Sequence, residues 1–164
     1  DVTSLAIAEG LIDGSIPNNG YAEELAPFID HTSGNSSGLF SNNLPFADGF
    51  IENFTMSAKC YLEISVTGTY EFRTNNDDGA KLKIDGEDVI VDDTLHAPES
   101  FYGSIELTEG KHLLELVFFE YTNGGSIELS AKNFPVSSFH TLIGDTDNGG
   151  LACNYDLIYS DSFE

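Results

Sequence analysis

Apolar and polar residues alternate with a period of two along most of the chain from about residue 59 onward. In residues 60–66, for example, Cys60, Leu62, Ile64 and Val66 fall on one side of an extended chain, and the residues between them fall on the other. Glycine-containing turns interrupt the alternation roughly every 8–12 residues. Alternation broken at such intervals indicates an all-β chain of short strands.

The same pattern predicts individual strands and two hairpins. Asp85-Gly86 separates two alternating segments and is typical of a type I′ hairpin turn. Thr108-Glu109-Gly110 separates two longer segments and predicts a second hairpin. The predicted strands cover residues 60–66, 70–74, 81–84, 89–91, 101–107, 111–120, 126–132 and 155–159.

The first 58 residues are less regular than the rest of the chain. Residues 4–11 fit either one short helical turn or an edge strand, and the pattern leaves both open. Because no repeat or linker divides the sequence, residues 1–164 are predicted to form a single domain. An irregular N-terminal decoration precedes the regular strands of this domain. Many short strands must bury their apolar faces against a second sheet, so the predicted fold is an all-β, two-sheet antiparallel β-sandwich.

The charge of the chain limits its partners. Its 164 residues include 28 acidic side chains and only 6 lysines and arginines, which gives a formal charge of −22. Six basic residues do not supply a face that neutralises phosphates, so nucleic acid and anionic lipid are excluded as partners. No apolar run approaches the roughly 18–20 residues that span a bilayer, so no membrane insertion is expected. Many carboxylates with few counter-ions are compatible with bound calcium, and a merely solubilising acidic surface is the alternative.

The chain has two cysteines, Cys60 and Cys153. An even number in a chain rich in glycine, asparagine, serine and threonine favours one disulfide formed in an oxidising compartment, and therefore a secreted or cell-surface protein. Two unpaired, buried thiols are the alternative. Glycosylation sequons also begin at Asn35 and Asn53, and they matter only if the source glycosylates.

Four segments of the chain resemble a known family. Residues 61–72, 75–86, 107–112 and 119–121 stand in the order and spacing of the PA14 domain, and the resemblance covers roughly residues 10–132. PA14 domains occur in bacterial adhesins, yeast flocculins and epithelial adhesins, and as insertions in glycosidases. The resemblance implies a two-sheet β-sandwich whose core covers about residues 10–132, with a C-terminal extension at 133–164 outside the family pattern, in agreement with the predicted strands.

The resemblance also implies a calcium site. In lectin members of the family, two adjacent aspartates joined by a cis peptide bond hold the ion that binds the sugar, and Asp77-Asp78 matches this pair in position and context. Asn123 falls where a second loop of those lectins gives an asparagine to the same ion. Judged without the family, Asp-Asp-Gly between two strands is most often only a solvated turn.

Three further residues are candidates for contacts with the ligand. His96 is expected to border the site, and the alternative is a histidine that is simply hydrogen-bonded within a long loop. Tyr121 and Tyr102 are candidates for an aromatic ring that stacks on the apolar face of a sugar. Sugar specificity does not follow from the resemblance, because the extra sugar-contacting loops of the flocculin-type members are missing here.

These observations favour a calcium-dependent, carbohydrate-binding module of a secreted or cell-surface bacterial adhesin, with a glycan as ligand and no enzymatic activity. A structural subunit of an extracellular filament or surface assembly is the alternative. It is motivated by the apolar N-terminal stretch and the C-terminal extension, which the sandwich does not need and which are free to drive self-association. A glycoside hydrolase is a third candidate, but in a chain with 28 acidic residues a pair of carboxylates is no argument for one.

Overall fold

The described strands form two antiparallel sheets, and one helix packs outside them. The computed structural model describes the backbone of residues 1–134 and 137–162 and the side chains of residues 1–133 and 137–153. Helix α1 has nine residues, and among the described residues no helix is long and apolar enough to cross a membrane. The elements are α1 (Leu5–Asp13), β1 (Gly20–Glu24), β2 (Asp30–Thr32), β3 (Phe54–Ile64), β4 (Gly68–Asp77), β5 (Ala80–Ile84), β6 (Glu87–Asp92), β7 (Glu99–Leu107), β8 (Gly110–Glu120), β9 (Ser126–Phe134), β10 (Thr141–Leu142) and β11 (Ala152–Ser162).

The two sheets share one hydrophobic core. The six-stranded sheet has the order β1-β11-β3-β8-β5-β6, and the five-stranded sheet contains β10-β9-β4-β7 with β2 paired to β9. Leu62, Leu116 and Phe118 of the first sheet and Phe72 and Leu129 of the second are each less than 2% exposed in this core. Two antiparallel sheets that meet through their apolar faces form a β-sandwich, so the predicted fold class is confirmed.

Of the two predicted hairpins, one is correct and the other is wrong. Strands β5 and β6 pair around Asp85 and Gly86, whose φ angles of 51° and 82° are those of a type I′ turn. Strands β7 and β8 lie in different sheets, so Thr108 and Glu109 carry the chain from one sheet to the other. Val66 also differs from expectation, since it lies past the end of β3 and is 55% exposed. Alternation and turn residues predict where a strand ends and the chain turns, but they do not predict which other strand it will pair with.

The N-terminal segment forms a helix rather than an edge strand. The hydroxyl of Ser4 accepts a hydrogen bond from the Ile7 backbone N–H at 3.4 Å, and Gly14 ends the helix in the left-handed conformation. The apolar residues of α1 recur at helical spacing and pack on Phe119 of β8; they are Leu5, Ala8 and Leu11, joined by Val2. The N-terminal decoration therefore covers the outer face of the six-stranded sheet.

The C-terminal extension supplies an interior strand of the same sheet. Strand β11, which contains the predicted strand at residues 155–159, pairs antiparallel with β1 on one side and β3 on the other. A disulfide joins Cys60 of β3 to Cys153 of β11, with the two Cα atoms 5.7 Å apart. Both terminal segments pack on the chain's own sheets, so the expectation that the sandwich does not need them is wrong.

We expect the double variant Cys60→Ala/Cys153→Ala to be less stable than the wild type by about 2–5 kcal/mol. The disulfide spans 93 residues of sequence, and a cross-link over so long a loop strongly restricts the unfolded chain. Urea denaturation under non-reducing conditions, followed by circular dichroism, measures the two free energies of unfolding. Equal values for the two proteins would contradict a stabilising disulfide.

Candidate metal and ligand site

The predicted aspartate pair lies where the chain crosses from one sheet to the other. Strand β4 belongs to the five-stranded sheet and β5 to the six-stranded sheet, and Asp77, Asp78 and Gly79 connect them through a cis peptide bond between the two aspartates. A Cβ atom on Gly79 would lie 2.7 Å from the carbonyl oxygen of Asp92, so this position requires glycine. Because Asp78 is only 6% exposed, the connection is not a solvated turn.

Asp78 ties two loops to this crossing. Its Oδ1 atom accepts a hydrogen bond from the backbone N–H of His96 at 2.9 Å, and its Oδ2 atom accepts one from the backbone N–H of Tyr121 at 2.9 Å. His96 follows β6 and Tyr121 follows β8. One carboxylate thus fixes the starts of two loops, through bonds of the strong, charge-assisted kind.

Asp77 contacts a third loop. Its Oδ2 atom accepts a hydrogen bond from the hydroxyl of Ser36 at 3.1 Å. Partial burial raises the pKa of Asp77, and the negative charge of Asp78 adds to that rise, whereas the Ser36 hydrogen bond opposes it. A cation beside the pair would relieve this crowding of negative charge.

The two aspartates lie in an open pocket of about 380 Å³. Three loop segments form its walls, namely residues 35–37, 96–98 and 122–124. The structure therefore brings together four of the residues named from the sequence, which are Asp77, Asp78, His96 and Asn123. Sequence reasoning treated Asn35 only as a glycosylation sequon and missed that residues 35–37 line this pocket.

Asn123 lies in the pocket wall in a conformation that asparagine tolerates. Its φ angle is 76°, in the left-handed region, and its backbone N–H donates to Glu52 Oε2 at 3.3 Å. Its side-chain amide donates to the hydroxyl of Thr122 at 3.2 Å. The amide nitrogen is thereby engaged, while the amide oxygen, the atom that binds a hard cation, is not used in that bond.

The two tyrosine candidates are not part of the pocket wall. Among the residues whose side chains are described, neither Tyr121 nor Tyr102 lines it. Tyr121 contributes its backbone N–H to Asp78. Tyr102 lies on β7, is 57% exposed and faces His140, with their ring centroids 5.8 Å apart. The structure thus gives no support to stacking of a sugar on either ring.

His96 fits both interpretations made from the sequence. It borders the pocket, and its ring is also hydrogen-bonded within the structure: Nε2 lies 2.7 Å from Asp92 Oδ2, and Nδ1 lies 2.7 Å from the carbonyl oxygen of Ala97. Burial by itself would lower the pKa of His96, but the hydrogen bond and charge of Asp92 raise it overall. Asp92 is further held by the side-chain amide of Asn76 at 2.7 Å.

Glu120 is a site residue that sequence reasoning did not identify. It ends β8, is 0% exposed, and has a carboxylate oxygen within 4.8 Å of one oxygen each of Asp77 and Asp78. Burial, together with the charges of Asp78 and Asp77, raises the pKa of Glu120 to about 9. The sequence contains one indication of this position: Glu120 is a charged residue that ends the apolar run 116–119 directly before a pocket loop.

A family model for the PA14 domain matches residues 14–133, which is most of the chain. The chain belongs to the PA14 domain family. The match includes the whole pocket, from residue 35 to residue 124, and leaves α1 and β11 outside it. The resemblance noted from the sequence is thus confirmed.

Solved structures with the same fold include other PA14 domains. The PA14 sugar-binding domain from an RTX adhesin is 18% identical with a TM-score of 0.65, over 87% of this chain and 85% of that one. The PA14 domain of the antifreeze protein MpAFP is 12% identical with a TM-score of 0.61, over 86% and 79%. An anti-sigma factor domain-containing protein from Clostridium clariflavum is 16% identical with a TM-score of 0.57, over 74% and 43%. No curated protein sequence matches the chain.

The donor atoms of this PA14 domain fit a hard cation. Calcium takes oxygen ligands at about 2.3–2.6 Å, so two ligands of one ion lie no more than about 4.6–5.2 Å apart. Oxygens of Asp77, Asp78 and Glu120 all lie within 4.8 Å of one another. The three groups can therefore reach a single ion, and carboxylates are the ligands that calcium prefers.

We expect the calcium-free PA14 domain to lose stability as the pH rises from about 4.5 toward 9, and Glu120→Gln to reduce that loss. The pKa of Glu120 rises from 4.5 to about 9 on folding, so the unfolded chain ionises first and folding has to keep the proton. This contribution is complete below the unfolded pKa and declines above it by up to about 1.4 kcal/mol per pH unit. Denaturation in a chelator at several pH values measures the free energy of unfolding of both proteins. If the two free energies fall with pH in parallel, Glu120 is not the group responsible.

Proposed function

We propose that this PA14 domain is a calcium-dependent carbohydrate-binding module of a secreted or cell-surface bacterial adhesin. The observation that carries the proposal is the convergence of carboxylates in an open pocket with small polar walls. A pocket of this kind suits a neutral, hydroxyl-rich ligand, because an ion and hydrogen-bonding groups replace the water around the hydroxyls. A fully apolar ligand would find few partners there.

Different residues of the chain have different roles in the proposed binding of cation and sugar. Asp77 and Asp78 hold the cation by charge, and Asn123 faces the same pocket from the loop that follows β8. Calcium bound there supplies open coordination positions for vicinal sugar hydroxyls. The two aspartates also accept hydrogen bonds from the sugar hydroxyls. The backbone N–H groups of His96 and Tyr121 donate to Asp78 and keep its carboxylate oriented.

Hydrogen bonding rather than ring stacking recognises the sugar in this proposal. Asn35, Ser36, Ser37 and Thr122 offer short polar side chains along the pocket walls. Such groups read the direction of individual hydroxyls, so sugars that differ in the stereochemistry of one carbon bind differently. Changes at Asn35 or Ser37 are expected to alter which sugar binds, with less effect on the cation than a change at Ser36, whose hydroxyl donates to Asp77.

Two further observations support an extracellular adhesin. One solved structure with the same fold is described as a PA14 sugar-binding domain from an RTX adhesin. The disulfide between Cys60 and Cys153 suits an oxidising compartment. The filament alternative loses its motive, because α1 and β11 pack on the chain's own sheets.

We propose binding without catalysis. Both oxygens of Asp78 accept backbone hydrogen bonds, an arrangement that suits a fixed ligand better than a group that exchanges protons with a substrate. Retaining and inverting glycosidases place two carboxylates on opposite sides of the bond they cleave. Here the carboxylates converge on one point instead.

Calorimetry with a panel of simple hexoses tests the function. We expect heat of binding in calcium and none after addition of EDTA. The variant Asp77→Asn is expected to lose binding of calcium and sugar by at least about tenfold while keeping the melting temperature that the wild type has in EDTA, since among the described residues the one side-chain hydrogen bond of Asp77 is to Ser36. Asp88→Asn is the matched control, because Asp88 is an exposed strand carboxylate outside the pocket.

Three outcomes would overturn this function. They are an absence of heat with every sugar in calcium, equal heat in calcium and in EDTA, and full binding by Asp77→Asn. Hydrolysis of aryl glycosides that survives chelation would favour the glycosidase instead.

A further inference from the structure

Glu120 is the least satisfied carboxylate around the pocket. Its side chain is 0% exposed, and neither of its oxygens makes a hydrogen bond of normal geometry with the described residues, although the backbone N–H of Asp78 lies close enough to favour the charged form and so oppose the rise in the pKa of Glu120. By contrast, Asp78 accepts two backbone hydrogen bonds and Asp77 accepts one from Ser36. A buried, charged carboxylate with so few partners is costly in free energy, and a bound cation would offset that cost.

The surroundings of Glu120 are negative. The charged side chains that act on it are Asp78, Asp77 and Glu52. Desolvated carboxylates this close to one another repel strongly, because the local dielectric is low. A polyvalent cation placed among them reverses the sign of the interaction with all three.

The backbone around Glu120 leaves room for its carboxylate. A Cβ atom on Gly125 would lie 2.8 Å from Glu120 Oε2 and 2.8 Å from the carbonyl oxygen of Asp77. Glycine at this position therefore allows the loop that follows β8 to approach both groups closely. Glu120 itself is paired with Phe54 across β3 and β8, so it stands on the rigid sheet rather than on a loop.

We propose that Glu120 is a direct ligand of the cation held by Asp77 and Asp78, which makes the centre a three-carboxylate site. This inference rests on the cation site proposed above and adds a residue to it. One carboxylate oxygen of Glu120 lies within ligand-to-ligand distance of an oxygen of each aspartate, although Glu120 does not itself line the open pocket. Three carboxylates make the site select polyvalent over monovalent cations.

The variant Glu120→Gln tests this role through the metal alone. Glutamine keeps the size of the side chain and removes its charge. We expect its affinity for calcium, measured by calorimetry without sugar, to fall by at least about tenfold, since the charge of the ligand set controls calcium affinity. Glu128→Gln is the matched control, because Glu128 is also a buried strand glutamate but lies on β9 outside the trio. We expect its calcium affinity to stay within about twofold of the wild type.

A second measurement distinguishes direct coordination of the ion by Glu120 from an effect of its charge at a distance. Terbium luminescence lifetimes in H₂O and D₂O count the water molecules on the bound ion. We expect Glu120→Ala to bind about one more water than the wild type, because water takes the position that the carboxylate leaves. Circular dichroism and the melting temperature confirm that both Glu120 variants are folded.

The outcomes distinguish this inference from the proposed function. If Asp77→Asn loses calcium but Glu120→Gln binds it as tightly as the wild type, the role of Glu120 is overturned and the cation site stands. An unchanged water count in Glu120→Ala also overturns direct ligation. If the wild type binds neither calcium nor terbium, the proposed function falls together with this inference.

Discussion

The fold and the candidate site both depend on the crossing of the chain from the five-stranded to the six-stranded sheet at Asp77, Asp78 and Gly79. Gly79 is required because the crossing runs against the carbonyl of Asp92, and Asp78 is held in place by the backbone of the loops after β6 and β8. A single buried carboxylate therefore organises three connections at the same end of the sandwich. The pocket exists because these connections converge, so its carboxylates are arranged by folding before any ligand binds.

The electrostatics of the chain are decided by its few buried carboxylates rather than by its total charge of −22. Asp30 and Glu128 are buried partners on β2 and β9, and loop N–H groups satisfy part of each: Asn42 donates to Asp30 at 3.0 Å and Phe40 to Glu128 at 2.6 Å. Glu120 makes no such hydrogen bond of normal geometry with the described residues, and only the nearby backbone N–H of Asp78 favours its charged form. Loop backbone thus compensates Asp30 and Glu128, whereas Glu120, whose pKa is raised to about 9, is the group that the proposed cation would compensate.

The sequence predicted the strands and the sandwich better than it predicted which strands pair with each other. Alternation of side chains is a local property, so the sandwich and the Asp85-Gly86 hairpin could be predicted from it. The separation of β7 from β8 could not, because Thr108 and Glu109 look like a turn whichever sheet the next strand joins. Asp77, Asp78 and Asn123 were found through the family resemblance. Glu120 was not, since only the folded structure shows that the end of β8 faces the aspartates rather than solvent.

The site divides into a rigid part that the sheets hold and a variable part that the loops form. Asp77, Asp78 and Glu120 stand at strand ends that are fixed by the sheets, whereas the pocket walls are loops. Helix α1 and strand β11 lie outside the PA14 match and pack on or within the six-stranded sheet, and the backbone N–H of Leu5 also donates to Asp93 in the loop after β6. Loops tolerate substitution better than the strands they connect. A chain built this way can change its ligand through Asn35, Ser37 or Thr122 while the carboxylates proposed to hold a cation stay in place.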